Sequence, residues 1–239
     1  MRDPAPLVSV LMSTYNDDPY IDLALRSIAQ QTFTDFEVLL IDDGSSPEYV
    51  TRLRQLAVDP RIRLFTQPNQ GLTRTLIEYT PLARGRYIAR HDADDVSHPE
   101  RLRRQVEYME QHPSCALLGT NATIIDGAGT PVRRTAFATT SQDLKRLLPT
   151  QNPFVHGSVL LRTSCVHEVG GYDPRYPVMQ DYELWIRLAG RYDVANLEQP
   201  YYQYRVHPRA ISHRRAEEQQ RMIARARREH YQASTLEHA

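Results

Sequence analysis

Short apolar stretches alternate with amphipathic helical repeats along the first half of the chain. The apolar stretches predict four strands, over residues 8–13, 37–41, 61–65 and 87–90. Between them, apolar residues recur every three or four positions, as in Ile21, Leu25 and Ile28, which predicts helices. Strands that alternate with helices in this way are typical of a mainly parallel sheet with helices on both faces.

Capping residues predict where several helices begin. Asp18-Pro19 and Ser46-Pro47 each place a capping side chain before a proline that suits the first helical turn. Ser97 and Glu100 have the spacing of a capping box, which predicts a helix from there to about residue 111.

The second half of the chain has a less regular pattern. A turn with Gly127 and Gly129 between apolar stretches predicts an antiparallel hairpin over residues 115–137. The sequence from 212 to 231 predicts a terminal helix that packs weakly through Met222 and Ile223. The other predicted elements are a helix near 142–148, a strand over 159–162, a helix over 181–189, and strands near 194 and over 201–206.

The overall charge excludes some classes of protein. Lysine and arginine total 29 and the acidic residues also total 29, so net charge gives no drive for binding nucleic acid. Only Lys145 is a lysine, and it lies outside any phosphate-binding or Schiff-base motif. Enzymes that depend on such a lysine are therefore disfavoured.

The cysteines and apolar runs indicate the compartment. Cys115 and Cys165 lie in apolar segments, which predicts buried, reduced thiols and a reducing environment. The longest apolar runs are far shorter than the roughly 20 residues of a membrane span, and the first six residues do not resemble a signal peptide. We therefore expect a cytoplasmic protein.

Acidic side chains follow two of the predicted strands. Asp42 and Asp43 come after the second strand, and Asp92, Asp94 and Asp95 after the fourth. In an open α/β sheet, this edge is where ligands bind. Clustered carboxylates repel one another unless a cation lies among them, and they suit Mg²⁺ or Mn²⁺ bound to a diphosphate. The alternative is a solvated acidic loop that caps a helix.

The motifs that the sequence lacks exclude several classes of enzyme and of phosphate site. The sequence has no glycine-rich phosphate loop, no serine-hydrolase elbow and no zinc-protease motif, so a bound diphosphate would depend on metal and arginine. Four arginines are close enough in sequence to be candidates, namely Arg74, Arg84, Arg86 and Arg90.

Three further positions are candidates for chemistry. Asp181 begins an amphipathic helix and is either a general base or a helix cap. His207 is either a metal ligand or a stacked structural histidine, and His156 is a further candidate of the same kind. Gln180 and Trp185 flank the candidate base on its helix.

Taken in order, these motifs resemble those of the family 2 glycosyltransferases, which are inverting enzymes of the GT-A fold. The resemblance covers about residues 7–213. It rests on VSVLMSTYN (8–16), FEVLLIDDGSS (36–46), NQGLT (69–73), GRYIARHDADD (85–95), PERL (99–102), HGSV (156–159), GGYD (170–173), QDYELW (180–185) and YRVH (204–207).

The resemblance implies a nucleotide site in the first half of the chain. Ser13, Tyr15 and Asp43 match positions that contact the base and ribose, and Asp42 is their neighbour. Arg74 is assigned to the same donor site.

The resemblance also implies a metal site and a base. Asp92 and Asp94 match the D-x-D pair, in which the second acid ligates a divalent metal and the first contacts ribose or a metal-bound water. Asp95 is an additional acid in this chain. Asp181 matches the base that deprotonates the acceptor hydroxyl, and His207 looks like a histidine that some members use on the metal or diphosphate.

The organisation implied is one GT-A domain over residues 1–213, with a nucleotide-donor half (1–111) and an acceptor half (112–213). The implied partners are a UDP-, GDP- or dTDP-sugar and a saccharide or lipid-linked acceptor, as in the synthesis of cell-surface polysaccharide or glycolipid. Residues 214–239 form an arginine-rich tail. This tail is either a solvated helix face or a contact to the anionic inner face of the membrane.

Departures and alternatives accompany the resemblance. His91 replaces an apolar residue before the D-x-D and offers an extra metal or phosphate contact. Gln180 replaces the glutamate of the common E-D pair.

Two alternative functions are disfavoured by the sequence. A sugar nucleotidyltransferase would need a glycine-rich basic loop where residues 12–16 lie. Asp92, Asp94 and Asp181 together argue against a non-catalytic nucleotide-sugar binder.

Overall fold

The computed structural model describes residues 5–16, 19–208 and 215–232. The strands are β1 (Val8–Thr14), β2 (Phe36–Asp42), β3 (Ile62–Thr66), β4 (Tyr87–Asp92), β5 (Val96–Ser97), β6 (Cys115–Ile125), β7 (Pro131–Arg134), β8 (Leu160–Arg162) and β9 (Asp193–Arg205). The helices are α1 (Ile21–Ala29), α2 (Pro47–Leu56), α3 (Leu72–Tyr79), α4 (Arg101–Gln111), α5 (Ser141–Leu147), α6 (Thr163–Glu168), α7 (Gln180–Arg191) and α8 (Ala216–Arg227). Short 3-10 turns cover Thr80–Leu82 and His156–Ser158, and a π-helical turn covers Arg228–Gln232.

All the strands belong to one sheet in the order β3-β2-β1-β4-β8-β6-β9-β5, with β7 added to β6. The four strands β3, β2, β1 and β4 run parallel, as predicted. β8 is antiparallel to both of its neighbours, and β5 and β7 are also antiparallel to their partners. The parallel part comes from the first half of the chain, and the antiparallel part comes mainly from the second.

Helices cover both faces of the sheet because successive side chains of a buried strand point in opposite directions. In β1, Val10 and Met12 pack in the core that includes buried residues of α1, α2 and α4. Leu11 points the other way, into the core that includes buried residues of α3, α5, α6, α7 and α8. The predicted fold with helices on both faces is confirmed.

The long strand β9 differs from the prediction of two separate strands. It runs parallel to β6, and the register shifts on either side of Asn121. The Asn121 side-chain amide donates to the carbonyl of Glu198, 3.0 Å away, which satisfies a backbone group at the irregularity. The sequence between the two predicted strands is therefore a bulged part of one strand.

The capping predictions have different outcomes. The Ser46 hydroxyl accepts from the Tyr49 amide at 3.3 Å, so the cap of α2 is confirmed. The capping box at Ser97 is wrong: Ser97 lies in β5, its hydroxyl accepts from the Arg101 guanidinium at 2.8 Å, and α4 begins only at Arg101. Asp18 lies outside the described residues.

The terminal helix α8 packs more firmly than predicted. Met222 and Ile223 contact the core, as expected, and Ala226 is completely buried. Beyond the helix, the Tyr176 hydroxyl donates to Glu229 at 3.0 Å. Arg214 lies outside the described residues.

Two expectations about the compartment concern features visible in the structure. Cys115 and Cys165 are buried and unpaired, as predicted. Within residues 5–16, 19–208 and 215–232, no helix combines the length and apolar character needed to cross a bilayer.

Candidate functional site

Polar side chains collect where β1, β2 and β4 end. Ser13 lies opposite Asp92 in the β1–β4 register, and Thr14 lies opposite Asp42 of β2. Tyr15 follows β1 and is 53% exposed. Since parallel strands place their carboxyl ends at one edge, the predicted nucleotide residues Ser13, Tyr15, Asp42 and Asp92 are brought to the same edge of the sheet.

Asp92 is held by groups from distant parts of the chain. Its Oδ1 accepts from the Arg90 guanidinium at 2.6 Å, and its backbone N–H donates to the Tyr202 hydroxyl at 3.1 Å. Burial raises the pKa of the Asp92 carboxyl, Arg90 opposes this, and the nearby carboxylates of Asp94 and Asp181 raise it further. The structure therefore brings the candidate base close enough to Asp92 for its charge to act on that carboxyl, although about 90 residues separate them in sequence.

Arg90 links Asp92 to His156. The Arg90 side chain is completely buried, and its Nε donates to His156 Nε2 at 3.2 Å. The Tyr172 hydroxyl lies 3.0 Å from the same nitrogen. Burial and the Arg90 charge hold the pKa of His156 well below its ordinary value. His156 is thus a neutral hydrogen-bond acceptor that positions Arg90.

Asp94 faces His207 across the site. Asp94 Oδ2 and His207 Nε2 are 2.8 Å apart, which brings the two predicted metal ligands together. Arg205, at the end of β9, donates from Nε to the Asp94 carbonyl at 2.7 Å. The Tyr20 ring contacts both groups, with the Arg205 guanidinium 4.2 Å and the His207 ring 5.4 Å from its centre. The end of β9 therefore places His207 next to Asp94, the second acid of the D-x-D.

Asp95 has a different environment from its two neighbours. It is completely buried, and its Oδ1 accepts from the Arg205 backbone N–H at 2.7 Å. Burial raises the pKa of this carboxyl well above its ordinary value, and the charges of Asp94 and Asp92 add to the effect. Asp95 therefore anchors β9 behind the site.

The extra contact expected of His91 is wrong. The His91 ring is completely buried and points toward α1, with Nε2 3.4 Å from the Ser27 hydroxyl. Its Nδ1 lies 2.7 Å from the Asp92 carbonyl oxygen, so this nitrogen carries the proton. Burial and the Arg101 charge hold the pKa of His91 well below its ordinary value.

Asp181 lies in the first turn of α7 and is only 9% exposed. Its Oδ2 accepts from the Asn152 amide at 3.0 Å. Burial raises the pKa of Asp181, while the Tyr182 N–H and the Asn152 amide oppose the rise. Met179, just before the helix, has φ +59°, a left-handed conformation that is uncommon outside glycine and often found at functional sites.

The two other candidates on α7 lie beneath the site. Gln180 is buried, and Trp185 is completely buried. The Trp185 ring packs edge-on against His156 at 5.9 Å and Phe154 at 6.2 Å. Trp185 therefore supports the His156 ring from the core.

Asp43 organises the loop that leads into α3. Its carboxylate accepts from the Gln67 amide at 2.6 Å and from the backbone N–H groups of Gln70 and Gly71 at 3.0 and 2.9 Å. Gly71 has φ +87°, which a residue with a side chain rarely adopts. Arg74 follows in the first turn of α3 and is exposed.

Asp42 lines a cleft of about 470 Å³ at the ends of β2 and β3. The side chains of Arg54 and Gln67 also line it. The cleft is next to the strand ends that carry the nucleotide candidates, and its volume is within the range of about 300–1,000 Å³ found for small-molecule sites.

Two of the four candidate phosphate-binding arginines are used elsewhere. Arg84 forms an ion pair with buried Glu37 at 2.7 Å, and Arg86 pairs with Glu110 at 3.1 Å. Both pairs lie at the opposite end of β4 from Asp92, because residues 84–86 precede that strand. Arg90 lies beside Asp92 but is completely buried and bonded there, so exposed Arg74 is the candidate that remains open to a phosphate.

A divalent metal fits the donor set only with help from a substrate. In the part of the chain that the structure describes, no three histidine, cysteine or acidic side chains are arranged to hold a metal by themselves. Asp94 and His207 supply two adjacent ligands. Mg²⁺ and Mn²⁺ commonly use one or two protein ligands and take the rest from substrate phosphates and water, and an imidazole ligand favours Mn²⁺.

Sequence reasoning missed three residues that shape this site. Tyr202 and Arg205 lie in β9 and hold Asp92, Asp94 and Asp95 in place. Asn152 lies in a segment where no motif was found, yet it binds Asp181. Arg205 was visible in the sequence as part of YRVH, two residues before His207. Its contact with the D-x-D, however, depends on how β9 pairs with β5 and β6.

Gly157 gives a test of how tightly the site is packed. A Cβ at Gly157 would overlap the Tyr202 hydroxyl and lie 2.8 Å from Asp92 Oδ2. We expect Gly157→Ala to lower the free energy of unfolding by about 1–3 kcal/mol, the usual cost of overpacking, and to lower activity by displacing Asp92. Urea denaturation and activity assays measure the two effects.

Gly190 provides the matched control. It is exposed in α7, and a Cβ there would meet no atom within 4 Å. We expect Gly190→Ala to raise stability by about 0.5–1 kcal/mol through helix propensity. Equal behaviour of the two variants would contradict the packing described around Asp92.

Comparisons with known proteins agree on one family. The sequence profile of glycosyl transferase family 2 matches residues 9–169. The chain is 31% identical over 196 residues to the amylovoran biosynthesis glycosyltransferase AmsE of Erwinia amylovora, covering 80% of this chain and 73% of AmsE. It is 29% identical over 208 residues to the O-antigen biosynthesis glycosyltransferase WbnJ of Escherichia coli, covering 84% of this chain and 80% of WbnJ.

Solved structures share the fold. Staphylococcus aureus TarS in complex with UDP-GlcNAc superposes with a TM-score of 0.73 at 20% identity, over 92% of this chain and 66% of that one. The mannosyltransferase PcManGT of Pyrobaculum calidifontis, in complex with GDP-Man and Mn²⁺, gives 0.68 at 18% identity, over 90% of this chain and 61% of that one. The chain thus spans less than two thirds of the length of PcManGT and about two thirds of the TarS chain.

Proposed function

Because the chain belongs to glycosyl transferase family 2, we propose that it moves a sugar from a nucleoside diphosphate sugar to a hydroxyl of a saccharide or lipid-linked acceptor, with inversion at the anomeric carbon. The names of WbnJ and AmsE support a role in the synthesis of a cell-surface polysaccharide. One domain over 1–213, with a donor half and an acceptor half split near residue 111, is part of this proposal.

The observation that carries the proposal is the proximity of Asp181 to the first acid of the D-x-D. Asp181 comes from α7 and Asp92 comes from the end of β4, yet the Asp181 charge raises the pKa of Asp92. Inversion requires an acceptor hydroxyl to attack from the side opposite the leaving diphosphate. We propose that the acceptor binds on the Asp181 side and the donor diphosphate on the D-x-D side, an arrangement that meets this requirement. As the base, Asp181 takes the hydroxyl proton as the new glycosidic bond forms.

The donor would occupy the edge formed by the strand ends. We propose that Ser13, Tyr15 and Asp43 contact the base and ribose, with Asp42 as their neighbour. Asp43 also holds the loop before α3. Arg74 and Asp92 complete this nucleotide site, the first as a charge for the phosphates and the second through ribose or water.

Asp94 and His207 would hold the divalent metal. A bound Mn²⁺ or Mg²⁺ neutralises the negative charge that develops on the leaving diphosphate. Asp95 and Arg205 keep Asp94 and His207 in position from behind, and Arg90 keeps the Asp92 carboxylate oriented.

For the tail, the contacts of α8 support a structural role. Arg225 pairs with Glu229 at 2.7 Å and Arg215 pairs with Glu218 at 2.6 Å. Such pairing reduces the positive charge available to an anionic surface. A cytoplasmic location, with peripheral contact to the inner membrane face through exposed Arg228, is the accompanying proposal.

A panel of UDP-, GDP- and dTDP-sugars with Mn²⁺ tests the function. We expect one donor class to raise the melting temperature, by the equivalent of about 2.7 kcal/mol at a hundred times its Kd, and to release nucleoside diphosphate slowly in water. Stabilisation without any turnover, with or without acceptors, would favour a non-catalytic binder. Release of pyrophosphate from a nucleoside triphosphate and a sugar phosphate would favour the nucleotidyltransferase alternative.

A further inference from the structure

A second cleft, of about 310 Å³, lies between α8 and the first turn of α7. Three elements form its walls: the loop after α5, the start of α7 and one side of α8. The side chains that decide its chemistry are Gln151, Asn152, Met179, Tyr182, Gln220 and Ile223.

Asn152 links the cleft to the candidate base, Asp181. Asn152 lines the cleft, and its amide also donates to Asp181 Oδ2 at 3.0 Å. Met179 and Tyr182 line it from positions just before and just after Asp181. Asp181 itself is not part of the lining, so a molecule bound in the cleft would lie next to the Asn152 amide that holds the carboxylate we assign as the base.

The lining favours a neutral ligand with both polar and apolar surfaces. Amide side chains of Gln151 and Gln220 can donate and accept hydrogen bonds, and Met179 and Ile223 give an apolar surface. None of the residues that line the cleft is acidic. A sugar ring has this combination, with hydroxyl groups at its edge and C–H groups on its faces.

The one charged residue in the lining is already engaged. The Arg227 guanidinium donates to the Tyr182 hydroxyl at 3.2 Å and to the Thr150 carbonyl. These bonds hold α8 against α7 and the loop, so Arg227 stabilises the wall of the cleft. An anionic ligand would have to compete with both bonds.

The position of α8 is fixed by contacts outside the cleft. Ala226 is completely buried against the core, and His230 Nε2 lies 3.0 Å from the buried carboxylate of Glu183 on α7. The wall that Gln220 and Ile223 provide is therefore a fixed part of the structure.

We propose that this cleft binds a sugar ring of a neutral saccharide acceptor, and that Gln220 on the terminal helix contributes to acceptor specificity. The proposal rests on the proposed glycosyltransferase function, and it adds the substrate class and the location of the acceptor site. Its volume is at the lower end of the range of about 300–1,000 Å³ for small-molecule sites, which suits one or two sugar rings.

The test compares two tryptophan variants at exposed, adjacent positions of α8. Gln220→Trp fills the cleft, whereas Arg221→Trp places the same side chain at an exposed position outside the lining. The probes are p-nitrophenyl glycosides of neutral hexoses and the p-nitrophenyl glucuronide as the anionic counterpart. Each is assayed as acceptor with the donor found in the panel above, and its binding to the enzyme is followed by ligand-observed NMR.

We expect a neutral glycoside to act as acceptor in preference to the glucuronide. Gln220→Trp should raise the KM for that acceptor about tenfold or more, in line with the cost of a misfit in a binding pocket, with a much smaller change in the KM for the donor. Arg221→Trp should leave both values as they are.

The proposal would be overturned by preference for the glucuronide, by an equal rise of acceptor KM in both variants, or by no effect of Gln220→Trp. Turnover of the donor in water without use or binding of any neutral glycoside would also overturn it while leaving the proposed function intact. Absence of all donor turnover would instead contradict the proposed function, and NMR binding of the glycosides would still decide the assignment of the cleft.

Discussion

Replacing Asp181 with asparagine is expected to lower the rate of sugar transfer by about a thousandfold, within the range of about 10²–10⁴ that general bases contribute. Asparagine has nearly the same shape and can keep a hydrogen bond to Asn152, so α7 should still begin at the same place. The lost function is the ability to take the proton of the acceptor hydroxyl. Initial rates at saturating donor and acceptor measure the effect, and donor affinity should change little.

Asp143→Asn is the matched control, because Asp143 is an exposed carboxylate on α5. The pH dependence adds a second measurement. Burial raises the pKa of Asp181 above its ordinary value of 3.8, so the wild-type rate should fall as the pH drops toward that raised value and the carboxylate becomes protonated. A variant that keeps a tenth or more of the transfer rate would show that Asp181 is not the base.

Replacing Asp94 with alanine is expected to remove the response of activity to Mn²⁺ and to lower the rate of transfer by at least about a hundredfold. Loss of a residue that only orients a metal ligand lowers activity by up to about a hundredfold, and loss of a ligand itself should cost at least as much. The change removes one proposed ligand and leaves His207 without its 2.8 Å partner. Without charge neutralisation on the diphosphate, the leaving group departs less readily. Activity titrated with Mn²⁺ after treatment with EDTA measures this effect.

Glu107→Ala is the matched control, because it removes an exposed acid from α4. His207→Ala should fall between the control and Asp94→Ala, since a carboxylate supplies charge as well as a ligand atom. Wild-type activity that EDTA does not reduce, or Asp94→Ala activity at the original level, would contradict the metal assignment.

The parallel half of the fold could be predicted because its signals are local. A run of apolar residues such as those of β1 is buried on both faces, and each run is followed by a helical repeat. The acids that end β2 and β4 then meet at one edge, since neighbouring parallel strands end together. Asp42 and Asp92 were therefore placed correctly by pattern alone.

Two predictions from local patterns, the capping box at Ser97 and the ligand contact of His91, were wrong. Ser97 and Glu100 have the spacing of a capping box, but Ser97 is part of the short strand β5 and binds Arg101. His91 was expected to reach a ligand, yet the alternation of side chains along β4 directs it to the opposite face from Arg90. For Ser97 the pairing of β5 with β9 decided the outcome, and for His91 it was the face of β4 on which its side chain lies.

By itself, the sequence determined the alternating fold and the acids at the strand ends, because these depend on short-range periodicity and on residue type. The candidate base was named through the resemblance to the family, since the local pattern left Asp181 as either a base or a helix cap. Only the tertiary structure decided which of the acids share a site. It placed Asp95 in the interior, Asp94 against His207, Asp181 beside the D-x-D, and α8 along the cleft next to the base. Such contacts join residues about 30 to 115 positions apart, and burial, charge and hydrogen bonding over that separation are set by how the chain folds back on itself.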